Sequence, residues 1–163
     1  MGAPLHGQEE DRIVATKRLN LFDMKPDVRF DEITIEAVDK LAVPISTISI
    51  LNKEKEFYKS CQGLYQSDGP REQAFCSWAL LAQDLFVIED TLLDDRFRDN
   101  PYVTGPPFIR FYAGISLMDE QTGLPVAVFC VKDTVARKFN EKDLEIFLDL
   151  ADRATTLINQ EEQ

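Results

Sequence analysis

One stretch in the middle of the chain holds the side chains whose types could bind a small molecule. Arg110 carries a guanidinium group, which recognises a carboxylate or a phosphate through two parallel hydrogen bonds. Trp78 and Tyr112 can stack on a planar ring, and each keeps a polar tip for a hydrogen bond. Each also has a structural interpretation: Arg110 can pair with Asp90 or Asp94 and brace a loop, and Trp78 can belong to the core.

The sequence lacks the residues that several kinds of catalytic, metal-binding and nucleotide-binding site require. The single histidine, His6, stands near the start of the chain, so imidazole catalysis and multi-histidine metal sites are not expected. The three cysteines, Cys61, Cys76 and Cys130, are far apart and form no CxxC pair, which is typical of reduced structural thiols. No phosphate-binding loop, GxSxG motif or dinucleotide glycine motif occurs. We therefore expect no enzymatic activity.

The composition favours one soluble domain that does not bind nucleic acid. The chain has 163 residues and a formal net charge of −11, whereas binding to phosphates requires a clustered positive field. No apolar run approaches the roughly 20 residues that a membrane span needs, and no signal peptide is evident. We expect a cytoplasmic protein without membrane contact, with a disordered tail at 1–8 and a single domain at 9–163.

Hydrophobic periodicity predicts the elements that must position these side chains. Phe30, Ile33, Ala37 and Leu41 follow helical spacing, and Asn140 followed by Asp143 indicates a capping box. The predicted elements, in chain order, are helices at 9–22 and 30–41, strands at 44–52 and 57–62, a short helix around residue 76, a strand at 85–88, an irregular segment, strands at 109–118 and 125–132, and a helix from residue 140.

These elements predict an α/β sandwich of the α+β type around one mostly antiparallel sheet of about five to six strands. The strand at 125–132 is apolar on both faces and is expected to be central. In the strand at 109–118, Arg110, Tyr112, Gly114 and Ser116 share one face, and apolar residues form the other. We expect the terminal helices on the apolar side and a helix and loops, enclosing a pocket, on the polar side.

The C-terminal helix carries two apolar stripes, although one suffices for a surface helix. A second stripe indicates contact with the first helix, with another subunit, or with both, and we favour a homodimer through the N- and C-terminal helices. The stripes are Leu144, Phe147, Leu148, Ala151 and Ile158, and Ile146, Leu150, Ala154 and Leu157.

Three segments in order, PREQAFCSWAL, VIEDTLLDDRFRDNPYVTGPP and IRFYAGISL, resemble the middle of a bacterial sensory GAF domain, which is PAS-related in fold. The resemblance extends over residues 9–160. It implies a signal-transduction module with a small-molecule pocket, no assigned cofactor, and kinase or cyclase output domains elsewhere in a longer protein. The pocket residues that it implies are Phe75, Cys76, Trp78, Asp90, Tyr102, Arg110 and Tyr112.

The residues that the known activities of the family require are only partly present in this sequence. Bilin-binding relatives have histidine after the attachment cysteine, but Ser77 follows Cys76 here; haem-binding relatives need an axial histidine. Cyclic-nucleotide-binding relatives have an Asn-Lys…Phe…Asp-Glu pattern, of which only Asn52, Lys53 and Phe57 are present. Two alternatives stay open: a free methionine-R-sulfoxide reductase, which needs an activated thiolate and a resolving cysteine, and a dimerisation module without ligand.

Overall fold

A computed structural model describes residues 2–160. The helices are α1 (Glu9–Arg18), α2 (Val28–Leu41), α3 (Cys76–Leu81), α4 (Pro101–Thr104) and α5 (Glu141–Asn159). The strands are β1 (Ile45–Leu51), β2 (Lys55–Gln62), β3 (Asp68–Pro70), β4 (Phe86–Ile88), β5 (Phe111–Met118) and β6 (Pro125–Asp133). Two 3-10 turns, Arg71–Gln73 and Thr91–Leu93, precede α3 and α4.

The six strands form one sheet in the order β3-β2-β1-β6-β5-β4, and every neighbouring pair is antiparallel. All residues of β1 and β6 are buried, which confirms the prediction that 125–132 is central. A strand buried on both faces requires cover on both sides of the sheet. The predicted fold class is therefore confirmed: a mixed sandwich around an antiparallel sheet.

The two covers differ in kind. Helices α1, α2 and α5 pack on one face, where Phe30, Ile48, Phe129 and Phe147 belong to a large apolar core. Helix α3 and the irregular chain around α4 pack on the other face, where Phe75, Phe97 and Tyr112 belong to a second, smaller apolar cluster. The side covered by the regular helices is a continuous apolar core, whereas the irregular side also contains polar groups.

Local signals place the ends of the long helices. The Asn140 side chain accepts from the backbone N–H of Asp143, and the Asp143 side chain accepts from the backbone N–H of Asn140, so the predicted capping box is present. Asp27 caps α2 by accepting from the N–H of Arg29. Both caps satisfy N–H groups that have no partner within the helix.

Two predicted boundaries were wrong, and one strand was not predicted. Helix α1 ends at Arg18 rather than at residue 22, because Asn20 adopts a positive φ of 59° and the chain turns there. Strand β5 begins at Phe111 rather than at residue 109, although the N–H of Arg110 still bonds to the Asp133 carbonyl. Strand β3, only three residues long, was missed because a run of Asp68, Gly69 and Pro70 lacks strand propensity.

Most residues of the two apolar stripes of α5 are buried inside the protein itself. Phe147, Leu150, Ala151, Ala154 and Ile158 are buried against α2 and the sheet, so the intramolecular partner of α5 is mainly α2. Leu144 and Leu148, one turn apart, each stay 37% exposed. Within residues 2–160, no helix combines the length and the apolar character needed to cross a bilayer.

A buried ion triad attaches α1 to the sheet. The Glu9 carboxylate accepts from Arg12 Nη2 at 2.9 Å and from Arg71 Nη1 at 2.6 Å, and Arg12 also donates to the Leu51 carbonyl at 2.6 Å. Burial alone would raise the pKa of Glu9, but hydrogen bonds from the two arginines lower it to about 2. Because Arg71 lies just before α3, the triad joins the N-terminal helix to the irregular side of the sheet.

We expect Glu9→Gln to lower the free energy of unfolding by about 3 kcal/mol at pH 7, because two buried guanidinium groups lose their shared counter-charge. The carboxylate contributes stability above its ordinary pKa of 4.5, and this contribution is lost as the pH falls towards 2. Urea denaturation at several pH values should therefore show the difference from wild type shrinking below pH 4.5.

Glu10→Gln is the matched control, since the Glu10 side chain is 89% exposed on the same turn of α1. A Glu9→Gln variant as stable as the Glu10→Gln variant at pH 7 would contradict the structural role of the triad.

Candidate ligand-binding site

The irregular cover places an aromatic cluster over β5. The Phe75 and Phe97 ring centroids are 4.5 Å apart, and those of Phe75 and Tyr112 are 5.3 Å apart. Trp78 is partly buried beside Phe97, and the Arg96 guanidinium lies 5.2 Å from the Trp78 ring centroid. Such contacts fasten loop 94–100 onto α3, so Trp78 packs against protein groups here.

Tyr112 is fully buried and lies over the backbone of its own strand. Its hydroxyl donates to Cys76 Sγ at 3.2 Å, and its ring occupies the space that a side chain at Gly114 would need. Burial raises the pKa of Tyr112 well above its ordinary value, so the phenol stays a hydrogen-bond donor. As predicted, helix α3 and the irregular chain cover the face of the sheet on which Tyr112 lies.

Arg110 and Asp90 form the pair that the sequence offered as the alternative. Arg110 Nη2 donates to both carboxylate oxygens of Asp90 at 3.0 Å, and Nε donates at 3.2 Å. The pair is partly exposed, and the Thr91 N–H bonds to the Arg110 carbonyl beside it. This geometry braces the segment between β4 and α4, so a ligand at Arg110 would have to compete with Asp90.

A different set of polar groups lines a cavity under the irregular cover. The cavity measures about 10 Å³, which is room for about one water molecule. Of the residues that the sequence singled out, Phe75 and Tyr102 line it. The other lining residues are Glu56, Tyr58, Leu64, Gln66, Ala74, Pro107, Ile109 and Lys132.

Two opposite charges in this cavity are buried without pairing. Glu56 is 2% exposed and Lys132 is 6% exposed, and within residues 2–160 no carboxylate oxygen lies within 4.0 Å of the Lys132 ammonium. The Glu56 Oε2 atom has no hydrogen-bond partner. The ammonium faces aromatic rings instead, 5.7 Å from the Phe75 centroid and 6.0 Å from that of Tyr112.

Electrostatics keep the lysine charged. Burial alone would lower the pKa of Lys132, but negative charge on Cys130 and on Glu56 raises it above its ordinary value. Burial raises the pKa of Tyr58 beside them, so Tyr58 is a neutral donor at this wall. The cavity thus presents one positive group, one acceptor without a partner and phenolic hydroxyls.

Neither charged residue is among those that the sequence predicts for the site. The sequence predicts a strand at 125–132 that is apolar on both faces, yet its even positions place Lys132 on the same face as Val128 and Cys130. Period-two alternation identifies Lys132 as a polar residue on that face, and in the sheet it is directly paired with Tyr112. Glu56 has no such signal, because it precedes the predicted strand at 57–62, whereas β2 begins at Lys55 and buries it.

The cysteines are poorly placed for catalysis. Cys76 and Cys130 are fully buried, and Cys130 Sγ lies 3.1 Å from the Thr47 hydroxyl. Burial raises the pKa of the Cys76 thiol well above its ordinary value, which makes it a weak nucleophile. Burial acts in the same direction on Cys130, but the hydrogen bond with Cys76 and the charge of Lys132 lower the pKa of Cys130 to about 7, so only its burial withholds this thiol from a substrate. Within residues 2–160, no group of three or more histidine, cysteine or carboxylate side chains has the arrangement of a metal site.

A larger groove of about 720 Å³ lies elsewhere, between α1 and the turn that joins β1 to β2. Its charged residues, including Lys53 and Glu54, are exposed to solvent, and none is a buried charge without a partner. We therefore regard the smaller cavity as the candidate site, because buried charges there carry a desolvation cost that the groove does not have.

Comparison with known proteins identifies the family. The sequence profile of the GAF domain matches residues 25–158. The chain belongs to the GAF domain family. It is 38% identical over 134 residues to a cyclic di-GMP phosphodiesterase of Pseudomonas aeruginosa, an alignment that spans 82% of this chain and 23% of that protein. The matched region thus spans about a quarter of that relative's length.

Solved GAF structures share the fold at low sequence identity. The GAF domain of an Acinetobacter phosphoenolpyruvate-protein phosphotransferase superposes with a TM-score of 0.64 at 12% identity, covering 92% of this chain and 94% of that one. The free methionine-R-sulfoxide reductase of Neisseria meningitidis superposes with a TM-score of 0.66 at 13% identity, covering 99% and 97%. At this identity the likeness establishes the fold alone.

We expect Gly114→Ala to lower the free energy of unfolding by about 1–3 kcal/mol, the usual effect of overpacking a filled core. The added Cβ would lie 2.2 Å from the Tyr112 hydroxyl oxygen and 2.6 Å from its Cζ atom, so the ring must move. Thermal unfolding followed by circular dichroism measures the effect. Gly7→Ala is the control, since nothing lies within 4 Å of a Cβ there. Equal melting temperatures for the two variants would contradict the described packing of Tyr112.

Proposed function

We propose that this GAF domain is a small-molecule-binding regulatory module in signal transduction and that it is not itself an enzyme. The observation that supports the proposal most is the buried, unpaired Glu56 and Lys132 at one cavity. Uncompensated buried charges destabilise a fold by several kcal/mol, so they are retained where a ligand completes them. On this proposal the ligand pocket expected on the covered face is this cavity, and Arg110 and Asp90 brace the neighbouring loop instead of binding the ligand.

The regulated activity belongs to another part of a longer protein. The Pseudomonas relative is named as a cyclic di-GMP phosphodiesterase, and the region that resembles this chain is only 23% of it. We propose an output domain of that signalling class, in place of the broader kinase or cyclase expectation. Binding of the ligand would reach the output through α1, since the Glu9–Arg71 pair joins this helix to the cover of the cavity.

The enzymatic alternative has weaker support. A reductase of free methionine sulfoxide would need an accessible thiolate, whereas Cys76 and Cys130 are both fully buried in the described structure. Cys61 is partly exposed, but burial raises the pKa of its thiol. Reduction of free methionine-R-sulfoxide with a dithiol donor, abolished by Cys76→Ser or Cys130→Ser, would contradict the proposal that the domain is not an enzyme.

We expect native mass spectrometry of the purified protein to detect a co-purified small molecule, and the Lys132→Met/Glu56→Gln variant to lack it. The variant should also be more stable than the empty wild-type protein by about 1–3 kcal/mol, because apolar or neutral groups replace buried unpaired charges. Lys55→Met/Glu54→Gln is the matched control at two exposed positions of the neighbouring turn.

A purely structural role for Lys132 and Glu56 predicts the opposite change in stability. If the wild-type protein carries no ligand and the cavity variant is less stable than wild type, the charges serve the fold, and the ligand-binding proposal is wrong.

We further propose that the domain acts as a homodimer through its terminal helices. Leu144 and Leu148 form an apolar pair on the outer side of α5, and Val14 is exposed on α1. Leu148→Glu should shift the sedimentation coefficient from dimer to monomer, because the charge would be buried at the interface. Leu93→Glu is the control, since Leu93 is 84% exposed in a distant loop. A monomeric wild-type protein would contradict dimerisation.

A further inference from the structure

The two buried charges of the cavity have opposite signs and separate positions. Lys132 is at the end of β6, Glu56 is near the start of β2, and β1 lies between these strands. Both side chains line the same cavity, but they do not meet within 4.0 Å. Within residues 2–160, the Glu56 Oε2 atom is one of only two buried side-chain oxygen or nitrogen atoms without a hydrogen-bond partner.

Other buried acids of the chain have partners within it. The Glu9 carboxylate, 6% exposed, receives hydrogen bonds from both Arg12 and Arg71, and the Asp119 carboxylate, 1% exposed, pairs with Arg18. The contrast shows that unpaired buried charge is not a general property of this fold. Within residues 2–160, the other buried side-chain atom without a hydrogen-bond partner is Arg71 Nε, but that guanidinium still pairs with Glu9 through Nη1. Glu56 has no such ion pair, and a partner from outside the chain can supply the missing contacts at the cavity.

The charges of Lys132 and Glu56 also indicate which charged groups the ligand has. A net anion would satisfy Lys132 and leave Glu56 facing a like charge, and a net cation would do the reverse. A molecule with one positive and one negative group, held apart by a short spacer, satisfies both residues with charge-assisted hydrogen bonds. The walls formed by Phe75, Tyr58 and Tyr102 suit a short apolar spacer between the two groups.

We infer that the cavity binds a small zwitterion, with its carboxylate at Lys132 and its ammonium at Glu56. This inference rests on the proposed ligand-binding function and adds the chemical class of the ligand. Because the cavity measures only about 10 Å³, entry displaces part of its cover. The segment between β2 and β3 covers the cavity with a single layer of chain at one point: Leu64 and Gln66 line the cavity, and Tyr65 between them is exposed to solvent.

The test uses zwitterions of increasing charge separation as probes: glycine, β-alanine and 4-aminobutyrate. N-acetylglycine lacks the ammonium, and glycinamide lacks the carboxylate. Calorimetric titration into the wild-type protein should show one zwitterion binding at least about tenfold more tightly than both capped compounds. Lys132→Met and Glu56→Gln should each weaken that binding by at least about tenfold. Lys55→Met and Glu54→Gln should leave it unchanged.

Two results would overturn the inference. One is a capped compound that binds as tightly as the best zwitterion; the other is the absence of zwitterion binding at about 10 mM. The proposed function is judged separately by native mass spectrometry. A co-purified ligand with a single charge sign would leave ligand binding in place and refute only the zwitterion, whereas an empty wild-type protein with no zwitterion binding would refute both.

Discussion

Strands β1 and β6 are buried on both faces, and this constraint determines how the rest of the chain is used. A sheet with a two-sided apolar centre needs two covers, and the terminal helices supply only one of them. The second cover has to come from the irregular chain around α3 and α4. Irregular chain brings backbone and side-chain polar groups with it, so this side of the sheet is where a polar cavity can form.

The buried charged residues form two groups, according to whether the chain itself supplies their partners. Around Glu9, two arginines and the backbone carbonyls of Leu51 and Asn52 form a network within the chain that joins α1 to the sheet. Around Lys132 and Glu56, the described residues supply aromatic faces and the Cys130 sulfur, but no carboxylate within 4.0 Å of the ammonium. The first arrangement is what stability requires of buried charge, and the second sacrifices stability, as functional sites commonly do.

The likeness to solved GAF structures establishes the fold and carries no information about the chemistry of the cavity. Neighbours at 12–13% identity include a phosphotransferase domain and a sulfoxide reductase, which superpose over more than nine-tenths of this chain. Because proteins with such different activities share one fold, the fold by itself does not indicate what a chain binds. The side chains that line the cavity, Lys132 and Glu56 among them, are therefore more informative about this protein than its overall shape is.

The sequence alone determined the elements whose signals are local. Helix α5 and its capping box, helix α2, and the central position of β6 follow from residue periodicity and short-range hydrogen bonds, which act within a few positions of the chain. The motifs around Phe75, Arg110 and Tyr112 likewise sufficed to recognise the family. Tertiary structure decided the rest. Arg110 could face a ligand or Asp90, and only the folded loop selects Asp90. Glu56 and Lys132 are more than seventy positions apart, and they share a cavity because the strand order places β2 and β6 on either side of β1. Such pairings depend on strand order and register, which no local pattern encodes.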